Sequence, residues 1–269
     1  MQAATAAPFI EQDYSLYTLE DQQAWRRLYQ GMQPLWERYA ARNFRQGLEA
    51  LQLDPERIPR LSEVNRFLAP RTGFRARAVS GYVPARLFLE CLRRRDFPTT
   101  VTIRPLNRLD YLPEPDIFHD VCGHVPMHTD PVFAEVLVSL GECAHSASEV
   151  CPPAWLNAAM KAMARFFWFT VEFGLVCEAG VLKAFGSGLV SSRGEIVHAV
   201  RAAQVRREKA ALDAIINQPF EIDHYQPLLF VMEGTDHLLS MADELRKRIR
   251  AGQIRQVAPG EPDIIGATI

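Results

Sequence analysis

The sequence predicts a mainly α-helical chain with a minor β part, folded as one domain. Three observations carry this. Long stretches repeat apolar residues at helical spacing. Strands are few and short: two runs, 74–79 and 99–104, are β-branched enough, and further pieces follow Gly180. No linker rich in Gly, Ser or Pro divides the middle of the chain.

In order, residues 18–40 (TLEDQQAWRRLYQGMQPLWERYA) read as the first helix. Thr18 can cap it, with Asp21 and Gln22 near the reciprocal position. Trp25, Leu28, Tyr29, Met32, Leu35, Trp36 and Tyr39 supply its apolar stripe, and Pro34 should bend or break it. A second helix follows through Phe44, Leu48 and Leu51, and a third around 62–68 is stopped by Pro70 and Gly73. Between the two strands, PARLFLECLRRR is an amphipathic helix. Residues 105–115, with three prolines, form a loop. Helices then run at about 116–122, 131–148 and 154–178, loop and strand pieces follow Gly180, and a last helix covers about 236–251 before a tail.

The chain has 269 residues, 48 % of them apolar, and a net charge of −2. That composition supports a globular core and no general attraction to nucleic acid. The arginine clusters at 93–95, 206–209 and 246–250 read as solvated helix faces. The start shows no basic, apolar leader, and no apolar run approaches the ~20 residues that span a bilayer. Five cysteines, none spaced C-x-x-C, read as buried free thiols in a reducing, cytoplasmic setting.

The chemistry concentrates in PEPDIFHDVCGHVP, residues 113–126. His119 and His124 are five apart, which on a regular α-helix leaves them about 140° apart. If the helix ends at or before Gly123, the two imidazoles can converge; otherwise they are polar residues at a helix end. Asp116 is placed to cap this helix. In RFFWFTVEFGLVCE, residues 165–178, Glu172 is the lone acid between Phe166 and Cys177, on a helix apolar all round. A buried carboxylate needs an arginine, a lysine or a metal ion. Two imidazoles and one carboxylate together make a set used by non-haem Fe(II) oxygenases and, with water, by zinc hydrolases.

These two blocks, followed by KAFGSGLVSSRGE, resemble the pterin-dependent aromatic amino acid hydroxylases, most closely the bacterial phenylalanine 4-hydroxylases. The likeness runs from about 72 to 234. It implies one catalytic domain: N-terminal helices 1–70, an iron and pterin core at about 72–235, and a C-terminal helix and tail at 236–269. It also implies Fe(II) held by His119, His124 and Glu172, and tetrahydrobiopterin or a related tetrahydropterin on Phe88, with Gly81, Val83 and, through water, Asp120 nearby. The substrate carboxylate falls to Arg104 at the end of a strand, and the amino acid pocket to Leu112, Pro115, Trp168, Phe173, Gly188 and Ser191. Leu112 and Phe167 stand where animal phenylalanine enzymes carry Thr and Tyr. His128 and His145 fall outside the ligand pattern and read as surface or supporting residues. The expected reaction turns L-phenylalanine and O2 into L-tyrosine. Tyrosine or tryptophan as substrate, or zinc hydrolysis on the same three residues, are the alternatives. Without the regulatory and oligomerisation segments of animal members, a monomer is expected, acting on small molecules with no nucleic acid or membrane partner.

Overall fold

The computed structural model describes residues 9–110 and 115–260; Leu112 and the end of the tail lie outside them. Thr18 caps α1 (Leu19–Tyr39) reciprocally with Asp21: the hydroxyl accepts the Asp21 N–H at 3.2 Å and the carboxylate accepts the Thr18 N–H at 2.8 Å. α1 runs unbroken through Pro34, against expectation. Pro34 and Gln30, whose carbonyl it leaves without a partner, are both exposed, so water can take over the lost bond. After α2 (Arg42–Leu51), α3 (Leu61–Thr72) passes Pro70 in the same way, with Arg66 on the solvent side. It ends where Gly73 turns left-handed at φ 78°.

β1 (Arg75–Val79), α4 (Ala85–Arg93) and β2 (Asp96–Thr100) form a parallel strand–helix–strand unit, with Val79 opposite Thr100. The second strand lies earlier than the β-branched run suggests. Its pairing with β1 is exhausted at Thr100, so Arg104 sits in irregular chain beyond the strand and not at its end.

The helix carrying both histidines does not end at Gly123. It widens instead: His119–His124 is a π-helical segment, followed directly by α5 (Val125–His128). α6 (Pro131–Val150) and α7 (Pro153–Phe167) follow, and α7 widens into a second π segment, Trp168–Glu172. The expected helix at 154–178 therefore stops short. At Gly174 a side-chain carbon would lie 2.3 Å from the Thr170 carbonyl oxygen, and beyond it the chain enters β3 (Leu175–Glu178). β3 pairs with β4 (Val181–Ala184) antiparallel and with β6 (Leu228–Met232) parallel. β5 (Arg206–Lys209) completes the sheet, in the order β4-β3-β6-β5. The basic run at 206–209 is thus an edge strand, not a helix, and its charges suit an edge left open to water.

Four further helices are α8 (Ser187–Val190), α9 (Arg193–Arg201), α10 (Leu212–Asn217) and α11 (Thr235–Arg250). α6 is packed by both α4 and α11. Around α1, Trp25, Trp36, Phe44 and Phe118 are fully buried. Trp36 Nε1 donates to the Val190 carbonyl at 2.6 Å, joining α1 to α8. Cys91, Cys122 and Cys143 are buried, but Cys151 is half-buried and Cys177, near the end of β3, is exposed. Among the described residues no helix is long and apolar enough to cross a membrane.

Candidate active site

A π-helix bonds each residue to the fifth beyond it, so its turn is wider than an α turn. Residues five apart, divergent on an α-helix, here share a face. His119 Nε2 and His124 Nε2 lie 3.2 Å apart. Glu172, from the second π segment, brings Oε1 to 2.9 Å from His124 Nε2 and Oε2 to 3.7 Å from His119 Nε2. One ligand atom from each of the three lies within 4.8 Å of the others. Among the described residues no arginine or lysine pairs with Glu172, so the ion-pair alternative has no partner here.

Two serines one turn apart hold this set in place. Ser191 Oγ lies 2.8 Å from His119 Nδ1, which directs the other ring nitrogen to the centre. Ser187 Oγ donates to Glu172 Oε2 at 2.9 Å. Gly123 lets α8 approach this closely, since a side-chain carbon there would be 2.9 Å from the Ser187 carbonyl oxygen. Burial pushes His119 down to about 4. Burial alone would raise the Glu172 carboxyl, but His124, His119 and Ser187 outweigh it and hold it at about 2. At neutral pH the centre therefore offers a carboxylate and a neutral His119 imidazole, the states in which these groups bind metals.

Arg104 is buried, not on the surface. Its Nε and Nη2 donate to Asp116 Oδ2 and Oδ1 at 2.8 and 2.9 Å, and Nη1 donates to the Leu109 carbonyl at 3.3 Å. Of the five N–H donors of a guanidinium, this leaves one on each terminal nitrogen without a described partner. Asp116 also accepts the His119 N–H at 2.9 Å, so one carboxylate ties the arginine to the first imidazole. Burial works against its charge, yet the Arg104 bonds hold its carboxyl below the usual range.

Phe88, on α4, is half-buried and meets Phe97 and Phe167 edge to face, with ring centres 5.7 and 5.5 Å away. Phe97 in turn lies 4.7 Å from the His124 ring. Gly81 and Val83 occupy the bend between β1 and α4; Val83 is buried, and the space beside Gly81 is open. Asp120 turns toward the end of β2, accepting the Thr100 N–H and hydroxyl, both at 2.6 Å, and burial raises its carboxyl to about 7.

On the far side, Trp168 packs 4.5 Å from Phe173. Gly188 has no room for a side chain, which would meet Phe173 Cζ at 2.8 Å. Pro115 is half-buried immediately before Asp116. His128, expected to be a surface or supporting residue, is fully buried among Phe74, Phe97 and Phe133. His145 is 40 % exposed and faces Glu149.

Sequence reasoning missed Ser187, Phe97 and the second role of Asp116. The Ser187–Ser191 spacing, one helical turn after a glycine, was the signal for the first. Phe97 carried none, because only the sheet register brings it to His124.

The comparisons agree with this architecture. A phenylalanine-4-hydroxylase of Chromobacterium violaceum is 35 % identical over 229 residues, 85 % of this chain and 75 % of that protein. A tyrosine 3-monooxygenase of Caenorhabditis briggsae is 38 % identical over 239 residues, but this chain spans only 44 % of its length. A crystal structure of the Chromobacterium violaceum phenylalanine hydroxylase, with bound iron(III) and the oxidised cofactor 7,8-dihydrobiopterin, superposes with a TM-score of 0.84 at 32 % identity. It covers 96 % of this chain and 92 % of that one. Residues 8–253 match a family described as biopterin-dependent aromatic amino acid hydroxylase, and on that match this chain belongs to it.

Proposed function

We propose that this chain is an iron- and tetrahydropterin-dependent monooxygenase that converts L-phenylalanine to L-tyrosine with O2. The observation that carries the reading is the convergence of His119, His124 and Glu172 on one point. The donor set fits a ferrous ion. It has two ring nitrogens and a carboxylate, Ser191 fixes the outer nitrogen of His119, and three protein ligands leave coordination positions open. When bound, the metal and the pterin supply the electrons and the O2 activation that the reaction requires.

The protein's own share is placement. The two uncommitted N–H groups of Arg104 suit a bidentate grip on the substrate carboxylate. Trp168, Phe173 and Pro115, with Leu112 as the resemblance implies, would line the ring pocket, while Gly188 lets Phe173 sit against α8. Phe88 offers a stacking surface to the pterin beside Gly81, Val83 and Asp120. The aromatic walls exclude water from the reacting atoms. We read the working unit as a single-domain cytoplasmic monomer.

The deciding experiment is product identification. Protein supplied with Fe(II), a tetrahydropterin, O2 and phenylalanine should form para-tyrosine. Activity with Zn(II) in place of Fe(II), or hydroxylation of tyrosine or tryptophan but not phenylalanine, would overturn the proposal. Ser191→Ala should keep the fold but weaken iron affinity about ten- to hundredfold, the usual cost of removing a partner from a ligating histidine. Equilibrium titration of the stripped protein with Fe(II) measures it, and unchanged affinity would remove Ser191 from this role.

A further inference from the structure

Trp168 closes the expected substrate pocket, yet among the described residues no polar group orients it. Its indole Nε1 is buried with no hydrogen-bond partner among the described residues. Buried tryptophans usually satisfy this group, and here ring contacts must fix the tilt of the indole instead. Phe173 supports one side at 4.5 Å, and Phe220 stacks on the indole at 4.4 Å with the planes 13° apart.

Phe220 follows α10 on a stretch without regular structure, and it meets Phe169 edge to face at 6.3 Å. A further restraint comes from the helix that bears Trp168. Arg165, one turn earlier on α7 and fully buried, donates from Nη1 to the Ile216 carbonyl at 3.1 Å and from Nη2 to the Ala258 carbonyl at 2.8 Å. The Asn217 side-chain oxygen accepts the Ala258 N–H at 3.0 Å. Gly260 presses on Pro219 so closely that a side-chain carbon would lie 2.4 Å from it. The C-terminal segment is thereby fastened over the end of α10, against the residue next to Phe220.

We propose that Phe220, braced by the Arg165-bound C-terminal segment, is a positioning residue that sets the tilt of Trp168 and so the depth of the substrate ring. This rests on the reading of Trp168 as a pocket wall. Phe220 acts through Trp168, so it should affect phenylalanine and the coupling of the reaction, and leave the pterin and the iron alone.

The test uses the iron-loaded, full-length protein as Phe220→Ala, Phe220→Tyr and Trp168→Ala. KM is measured for phenylalanine and for the tetrahydropterin separately, with tyrosine formed per tetrahydropterin oxidised. Phe220→Ala is expected to raise the phenylalanine KM about five- to tenfold, the loss of one aromatic pair, and to lower that ratio. Pterin KM and iron content should stay within about twofold, and Phe220→Tyr should restore both readouts. Unchanged phenylalanine KM and coupling in Phe220→Ala, where Trp168→Ala moves both, overturn the inference alone. If Trp168→Ala moves neither, the pocket reading falls with it. A parallel rise of both KM values with a lowered melting temperature would make Phe220 merely structural, which also overturns it.

Discussion

Replacing His124 by alanine is expected to leave a folded protein that neither retains iron nor hydroxylates phenylalanine. The imidazole is 3 % exposed and stands between Glu172 at 2.9 Å and Phe97 at 4.7 Å. Its removal leaves two ligands and a small cavity. Most single substitutions cost about 0.5–3 kcal/mol, against a domain stability of about 5–15 kcal/mol, so the fold survives. The helical circular dichroism signal should therefore stay near that of the parent while bound iron, measured by elemental analysis, falls to background. Retained iron with full turnover would refute the ligand assignment. A lost helical signal would mean that the π segment depends on the imidazole for its shape.

Arg104→Ala should have two large effects at once. The first is on binding. Losing charge-assisted bonds worth about 1.5–3 kcal/mol raises the phenylalanine KM about ten- to hundredfold. The second is on stability. Asp116 is 1 % exposed, and breaking a buried pair by removing one partner costs about 3–5 kcal/mol. For a chain of this size that lowers the melting temperature by about 10 °C. Arg104→Lys keeps the charge but not the planar fork, so it should recover part of the stability and little of the affinity. An unchanged phenylalanine KM in Arg104→Ala would confine the arginine to holding Asp116.

The candidate ligand set was legible in the sequence because its residue types are improbable where they stand: a lone acid in an apolar helix, and two histidines beside a glycine. The way they meet was not. Spacing on a regular helix separates His119 from His124, and the expected remedy was a break at Gly123. The structure widens the coil instead, with α8 packed closely against Gly123, a long-range contact that local spacing does not show. Caps such as Thr18–Asp21 were readable because both partners are local. Of the sheet at β3–β6 only a strand piece after Gly180 was readable, met by β4, because the strands are short and pair over long separations, and tertiary pairing overrode the helical pattern at 175–178. Arg104 shows the same limit. Its fork was readable, while its grip on Asp116 needed the chain beyond β2 to fold back on the histidine helix.

The two widened coils also alter how such chains should be searched. One surplus residue per turn lets a five-residue interval do what a four-residue interval does on an ordinary helix. A pattern search restricted to histidines four apart stops at His124 and His128, the second of which is buried among phenylalanines, and misses the pair His119–His124. Allowing one more position, with a glycine inside the interval, would retrieve it.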